Sequence, residues 1–411
     1  MIKRVLKGVA SSYYGQLVTI LFQLVSVPLF LEYWGLEKYA HWLVLYAIPS
    51  MIVLMEFGVF NVITNLLSRK KELLLSLTST VNSIFIVISI LLALVFLSSD
   101  SVYLLCILYA TLLLYFNFLT ALYRIELVYH IGSTISNTAR LIEFSCILLC
   151  VYFNHSIIVT FCSLIVVRII FIIISVSVLK RYKIYSTDLK KISVKNLKEI
   201  PLNDLKFTFY YQLGLIINNQ GLIFIINQKF GAASLVVFNT LRVLFRLSNQ
   251  FVGAFNSPLF QEYTKLACNE EESKLIDIFK KSLIVTFVSV LGLFLIFFLY
   301  GECFLRFWLK NEYSNMAIPE FYFIFMLIAS MLNVLWQPIV NLLMAIAQYR
   351  FFSCLFLNMQ AILCLNLLII SDFVSVPVVM LLIDMLFFIT LLFYVKYLIV
   401  NRKLCIYNNK K

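Results

Sequence analysis

Residues 157–206 read IIVTFCSLIVVRIIFIIISVSVLKRYKIYSTDLKKISVKNLKEIPLNDLK. From Ile157 to Leu179 the only charge is Arg168, in a run of the ~20 apolar residues needed to cross a bilayer as a helix. Beyond it the composition reverses, with eight lysines and arginines between Lys180 and Lys206. An apolar run that stops against a basic block reads as a helix leaving hydrocarbon on the side where positive residues are retained. Leu189, Ile192, Leu197 and Ile200 recur at near-helical spacing among the lysines, and Pro201 ends the run. A basic amphipathic helix on the inner leaflet is therefore expected over 180–206, with a solvated linker as the alternative.

The same alternation extends over the whole chain. Of its 411 residues 62% are apolar and 13% charged, against about 25% charged in a soluble domain. A soluble surface would run out of polar side chains to cover such a chain, so the expected class is an all-α integral membrane protein. Apolar runs at 9–32, 39–66, 76–98, 102–123, 134–153, 157–179, 207–228, 232–258, 282–301, 319–345, 351–371 and 376–399 give about twelve transmembrane helices. The connections left over are too short for a fused ATPase, a catalytic domain or a DNA-binding domain. With both termini inside, 25 lysines and arginines fall on the inner side and four (Lys38, Lys229, Arg306, Lys310) on the outer, which favours that orientation. The net charge of +13 then reports topology, and no nucleic-acid partner is expected. Met1-Ile2-Lys3-Arg4 resembles a signal-peptide start, but no small-residue cleavage site follows, so a retained first helix is expected.

The basic block divides the chain into two six-helix lobes, 1–179 and 207–411, joined by 180–206. Sliding the chain by 196 positions aligns Tyr14 with Tyr210, Gln16 with Gln212, Leu17 with Leu213 and Gly35 with Gly231, without a gap. Trp34 meets Phe230 in the same register. Each match opens its half, so the repeat is read as parallel, an arrangement common in transporters whose lobes rock about a central cavity.

Several chemistries are disfavoured by the residues. No glycine precedes Lys-Ser or Lys-Thr as in a Walker loop, the nine cysteines form no CxxC pair, and His41, His130 and His155 complete no metal or nucleophile set. No cofactor, metal site or enzymatic activity is expected. What remains is charge inside spans, where an ionised side chain costs at least about 2.5–3.5 kcal/mol and so normally faces a partner or a wet cavity. These residues are Glu56, Arg140, Glu143, Arg168, Arg242, Arg246 and Asp384. Arg242 and Arg246 share a helix face at i,i+4, close to mid-membrane, and offer forked donors suited to phosphate oxygens. The competing structural reading pairs them with Glu56 or Asp384. Arg140 with Glu143 is an i,i+3 pair expected to neutralise itself. Arg168 has no acidic neighbour in its own span and is expected to face a cavity. Anion contacts are thus assigned to Arg242, Arg246, Arg168 and Arg140, and coupling or gating to Glu56, Asp384 and Glu143.

Pro28-Leu29-Phe30-Leu31-Glu32-Tyr33-Trp34-Gly35-Leu36-Glu37-Lys38-Tyr39-Ala40-His41-Trp42 resembles the first-loop signature of bacterial polysaccharide flippases, a helix ending in Pro-Leu followed by Gly, Tyr, a small residue and Trp. Glu56-Phe57-Gly58-Val59 resembles the acidic-Phe-Gly-Leu element that follows it. Leu305-Arg306-Phe307-Trp308-Leu309-Lys310-Asn311-Glu312-Tyr313 resembles the family's Leu-x-x-Trp-Leu-x-x-x-Tyr stretch, with Lys310 where Gly is frequent. The resemblance is to the O-antigen and capsule flippases of the multidrug/oligosaccharidyl-lipid/polysaccharide exporter superfamily. It implies two six-helix bundles around a cationic cavity in the bacterial inner membrane. It also implies an undecaprenyl-pyrophosphate-linked oligosaccharide as cargo, moved from the cytoplasmic to the periplasmic leaflet. Membrane lipid, H+ or Na+ as coupling ion, and a polysaccharide polymerase with a chain-length regulator are the other partners expected. Among these residues only Glu56 falls on a family motif; the arginines are a physical inference. An ion-coupled drug antiporter of the same superfamily is the alternative, and a membrane glycosyltransferase or O-antigen polymerase a more distant one.

Overall fold

The computed structural model describes residues 2–54, 102–123, 128–182, 205–268, 271–310, 318–346 and 348–401, with single positions 56, 81, 85 and 316. The helices are α1 (Ile2–Leu29), α2 (Gly35–Leu54), α3 (Val102–Leu122), α4 (Tyr129–Tyr152), α5 (Ile157–Arg181) and α6 (Leu205–Ile216), followed by α7 (Leu222–Cys268), α8 (Glu272–Leu309), α9 (Glu320–Ala345), α10 (Tyr349–Ile369) and α11 (Val376–Val400). Two π-helical turns, Phe30–Trp34 and Ile217–Gly221, lie between α1 and α2 and between α6 and α7. Among the described residues there is no strand. This follows from the composition, because inside hydrocarbon a helix satisfies all its backbone groups within one segment.

Nine stretches among the described residues are long and apolar enough to cross a membrane. Two of them, Tyr13–Leu54 and Phe209–Gly253, are each interrupted at a glycine near the middle, Gly35 and Gly231. Divided there, they supply two crossings apiece, and all the spans expected from the sequence except 76–98 have a described helix. That span, apart from positions 81 and 85, lies outside the described residues, as do most of the 180–206 connection and 57–66 of the second span.

The breaks carry the mark of the repeat. Gly35 has φ 69° and ψ 177°, and Gly231 has φ 85° and ψ 176°. Both lie in a region of backbone space essentially reserved for glycine, at the positions that the 196-residue shift superposes. Each break is also anchored alike. Lys38 lies over the Trp34 ring (4.6 Å) and donates to Asn154 Oδ1 (2.8 Å) and to the His155 carbonyl (3.0 Å) at the end of α4. Lys229 lies over the Phe230 ring (5.7 Å) and donates to the Leu367 (3.0 Å) and Leu368 carbonyls at the end of α10. An ammonium at a helix C-terminus satisfies orphan carbonyls and complements the dipole. Asn154 itself is left-handed, at φ 52°, and the bonds His155 N–H to Cys150 O (2.8 Å) and Asn154 N–H to Val151 O (2.9 Å) close α4 in a Schellman turn.

The chain divides into two compact units, Met1–Ile216 and Ile217–Lys411. In the first, α1 packs along α4 and α3 along α5. Small residues allow the α1–α4 approach: a Cβ on Gly15 would stand 2.5 Å from Asn137 Oδ1, and Asn137 Nδ2 donates to the Ser11 carbonyl at 2.7 Å. In the second unit α9 is central, packed by α7, α8 and α11.

No atom lies within 4 Å of a Cβ built on Gly231 or Gly253, so a methyl has room at both. Only Gly231 has the positive φ. Gly231→Ala should therefore destabilise the protein by about 1–3 kcal/mol through backbone strain alone. Gly253→Ala, in the helix interior, should be neutral or stabilising by up to about 1 kcal/mol. Thermal unfolding of the two variants in detergent separates them, and equal melting temperatures would contradict the glycine-specific break.

Candidate functional site

Within the second unit, the π-helical turn Ile217–Gly221 has the sequence Ile-Asn-Asn-Gln-Gly, four polar or small residues inside an apolar span. A π turn widens the helix and breaks its regular ladder, and such turns recur at functional sites. Here the freed carbonyl of Asn219 accepts from Arg242 Nη2 at 2.8 Å. The Asn219 side-chain oxygen then bridges both guanidiniums, at 3.3 Å from Arg242 Nη2 and 2.9 Å from Arg246 Nη2. Arg242 and Arg246 are held on α7 at the i,i+4 spacing that the sequence indicates. The Arg242 guanidinium lies 5.7 Å from the Phe238 ring centre, and its Nη1 is buried with no hydrogen-bond partner among the described residues.

These residues line a cavity of about 90 Å³, closed on other sides by Asn249, Ser330, Asn333 and Asp384. Two carboxamide clamps hold the helices around it: Asn218 Nδ2 to Gln360 Oε1 at 2.8 Å, and Gln337 Nε2 to Asn249 Oδ1 at 2.7 Å. Asp384 on α11 is 6% exposed. It shares the cavity with the arginines, yet among the described residues neither guanidinium forms an ion pair with a carboxylate. The pairing of Arg242 and Arg246 with Asp384, the structural alternative read from the sequence, is not made. What the arrangement offers is two adjacent forked cations bridged by one neutral oxygen.

The first unit treats its charges differently. Arg168 on α5 pairs with Glu143 on α4, both about 5% exposed, and the guanidinium lies 4.7 Å from the Phe116 ring centre on α3. This corrects the sequence expectation that Glu143 neutralises Arg140 one turn away and that Arg168 faces a cavity. Arg140 is exposed, and its Nη1 lies 3.5 Å from Thr19 Oγ1. The physical reason is azimuth: the buried face of α4 also carries Asn137, Ala139, Ile147 and Cys150, and Glu143 lies on it while Arg140 does not. Glu56 lies in a turn just beyond α2, where its amide donates to the Val53 carbonyl at 3.2 Å, so the described helix ends before it.

No protein-family model matches the sequence, and no curated protein matches it. Solved structures do. The lipid II flippase MurJ in an inward closed conformation gives a TM-score of 0.66 at 17% identity, covering 96% of this chain and 88% of that one. The Vibrio cholerae MATE transporter VcmN gives 0.61 at 13% identity, covering 96% of each. An inward-facing multidrug resistance MATE family transporter of the MOP superfamily gives 0.60 at 13% identity, covering 97% of this chain and 95% of that one. This chain has their fold. It is an all-α, multi-pass membrane protein, as the composition and spans lead one to expect.

Sequence reasoning found the charged members of the cavity and missed its neutral ones, Asn218, Asn219, Asn249, Ser330 and Asn333. The signal for the first two was present: Asn-Asn-Gln-Gly at 218–221 is a polar run inside an apolar span. The Glu143–Arg168 pair leads to a stability test. Removing one partner of a buried pair leaves an uncompensated charge, so Arg168→Ala should cost about 3–5 kcal/mol, and Arg168→Met combined with Glu143→Leu should recover most of it. Arg140→Ala should stay within about 0.5 kcal/mol of the unaltered protein. Thermal unfolding in detergent checks the set, and comparable losses at positions 140 and 168 would contradict the assignment.

Proposed function

We propose that the protein is a flippase that moves an oligosaccharide linked through pyrophosphate to a polyprenyl lipid from the cytoplasmic to the periplasmic leaflet of a bacterial inner membrane. The observation that carries this reading is the arginine pair of the second unit, bridged by Asn219 and, among the described residues, in no ion pair with a carboxylate. Asn219 Oδ1 occupies a point that a phosphate oxygen can take. A charge-assisted bond from guanidinium to an anionic oxygen is about twice as strong as one to a neutral acceptor, so an arriving phosphate displaces the carboxamide. Two guanidiniums one helical turn apart present parallel donor forks to adjacent oxygens. The lipid tail stays in the bilayer, which removes the need for a cavity large enough to enclose the whole cargo. The fold shared with the lipid II flippase MurJ and the resemblance of Pro28–Trp42, Glu56–Val59 and Leu305–Tyr313 to polysaccharide flippases support the same reading.

Arg168 is closed off in its pair with Glu143, so the anion contact is assigned to Arg242 and Arg246. With no nucleotide-binding motif, transport is passive, drawn by consumption of the lipid-linked unit, or coupled to an ion gradient; Glu56 and Asp384 are the carboxylates suited to coupling. A second reading, an ion-coupled antiporter of small cations, is favoured by Asp384 in the cavity and by the MATE transporters among the structural neighbours. Two arginines against one carboxylate weigh toward an anion.

Replacing Arg242 with Ala removes charged hydrogen bonds of about 1.5–3 kcal/mol, so affinity for inorganic pyrophosphate should fall roughly tenfold to a hundredfold. Surface polysaccharide should be lost while the protein remains in the membrane. Arg242→Lys should rescue in part, keeping the charge but not the fork. Full-length surface polysaccharide in Arg242→Ala cells rules out the anion role. For the orientation with both termini inside, a membrane-impermeant maleimide should label Cys303, exposed near the end of α8, in intact cells. Cys405 should react only after permeabilisation, and its labelling in intact cells reverses the topology.

A further inference from the structure

The two arginines share their cavity with a group of opposite sign. Asp384, Arg242 and Arg246 all line the same space of about 90 Å³. That is room for several waters, or for one tetrahedral oxyanion with water beside it. An anion seated against the guanidiniums therefore shares one small cavity with the Asp384 side chain, which is 6% exposed. The other groups that the surrounding helices bring to this layer are neutral: Asn218 and Asn219 from the π turn, Asn249 from α7, Ser330 and Asn333 from α9, and Gln360 from α10 through its bond to Asn218. Among the described residues the charged groups that line this cavity with Asp384 are Arg242 and Arg246, and an incoming anion engages both. Two negative charges in one small cavity disfavour each other, and the carboxylate is the one that relieves this by binding a proton.

We propose that a phosphoryl group enters this cavity together with one proton, taken from solvent onto a carboxylate oxygen of Asp384. This rests on the reading of Arg242 and Arg246 as the anion contacts. Asp384 then acts on the site as a regulator, holding its proton more tightly when the cavity is loaded than when it is empty. The coupling is reciprocal: the anion raises the proton affinity of Asp384 by the same factor that the proton raises the affinity for the anion. Each loading adds one anionic group and one proton, so the charge carried through the membrane is smaller than that of the anion alone.

Inorganic sulfate is a suitable probe, because it is tetrahedral and does not itself titrate near neutral pH. The purified full-length protein, titrated with sulfate by calorimetry in two buffers of different ionisation enthalpy, should take up about one proton per anion bound. Its affinity should fall by up to tenfold per pH unit on the alkaline side, the limit for a single linked proton. Asp384→Asn should bind sulfate with no proton uptake and a flat pH profile, and Asp384→Glu should retain the uptake, which guards against an Asn variant that fails to fold. Sulfate binding by the unaltered protein without proton uptake overturns the proposal and leaves the anion site standing. Absence of both sulfate and pyrophosphate binding, or binding undiminished in Arg242→Ala, removes the anion reading and this proposal with it.

Discussion

Hydrocarbon offers no hydrogen bonds, and every feature of this protein answers to that. A span must satisfy its own backbone, so each departure from the regular helix needs a local donor or acceptor. At the two glycine breaks the neighbouring chain end is capped by a lysine, Lys38 or Lys229, whose ammonium binds carbonyls at the end of α4 or α10. At Ile217–Gly221 the departure is a π turn, and a carbonyl it releases is taken up by Arg242. The candidate site is thus built from the same kind of irregularity that the glycine breaks contain, with an arginine standing where a lysine stands elsewhere.

The two halves have kept a common frame and diverged in what they bury. Gly35 and Gly231 share backbone geometry as well as register, and the aromatic pair Trp34 and Phe230 receives a lysine in each half, from three residues beyond the glycine in the first and two before it in the second. Yet the first unit neutralises its buried arginine with Glu143 and covers it with Phe116, while the second leaves two arginines facing an open volume. Duplication preserves the scaffold, because span ends and breaks are dictated by the membrane. The interior is released from that constraint, and the two halves bury different charges.

Most of the fold was legible in the sequence because the bilayer enforces length: an apolar run bounded by charge has few alternatives, and each described helix overlaps one of those runs, although α8 runs over Glu272–Leu309 where 282–301 was expected and α7 continues to Cys268. The repeat was legible through Gly35 and Gly231, since only glycine adopts their conformation comfortably. The site was legible in part. Charges inside spans stand out by their cost, which is why Arg242, Arg246 and Asp384 were found. Their partners were not, because pairing depends on how neighbouring helices are turned about their axes. Linear spacing favoured Arg140 for Glu143, whereas the packed face of α4 brings it Arg168. The carboxamides escaped because Asn and Gln raise no alarm singly; only as the contiguous run at 218–221 do they announce a break in the helix.

That run has a geometric consequence. A π turn holds one residue more than the α-helical turn it replaces, and each residue of an α-helix advances about 100° around the axis. The surplus residue in Ile217–Gly221 therefore sets the rotational phase of Asn218 and Asn219 against the start of α7. One residue more in the count of a single turn decides which way the backbone and side chain of Asn219 are aimed, and they are aimed at the arginines.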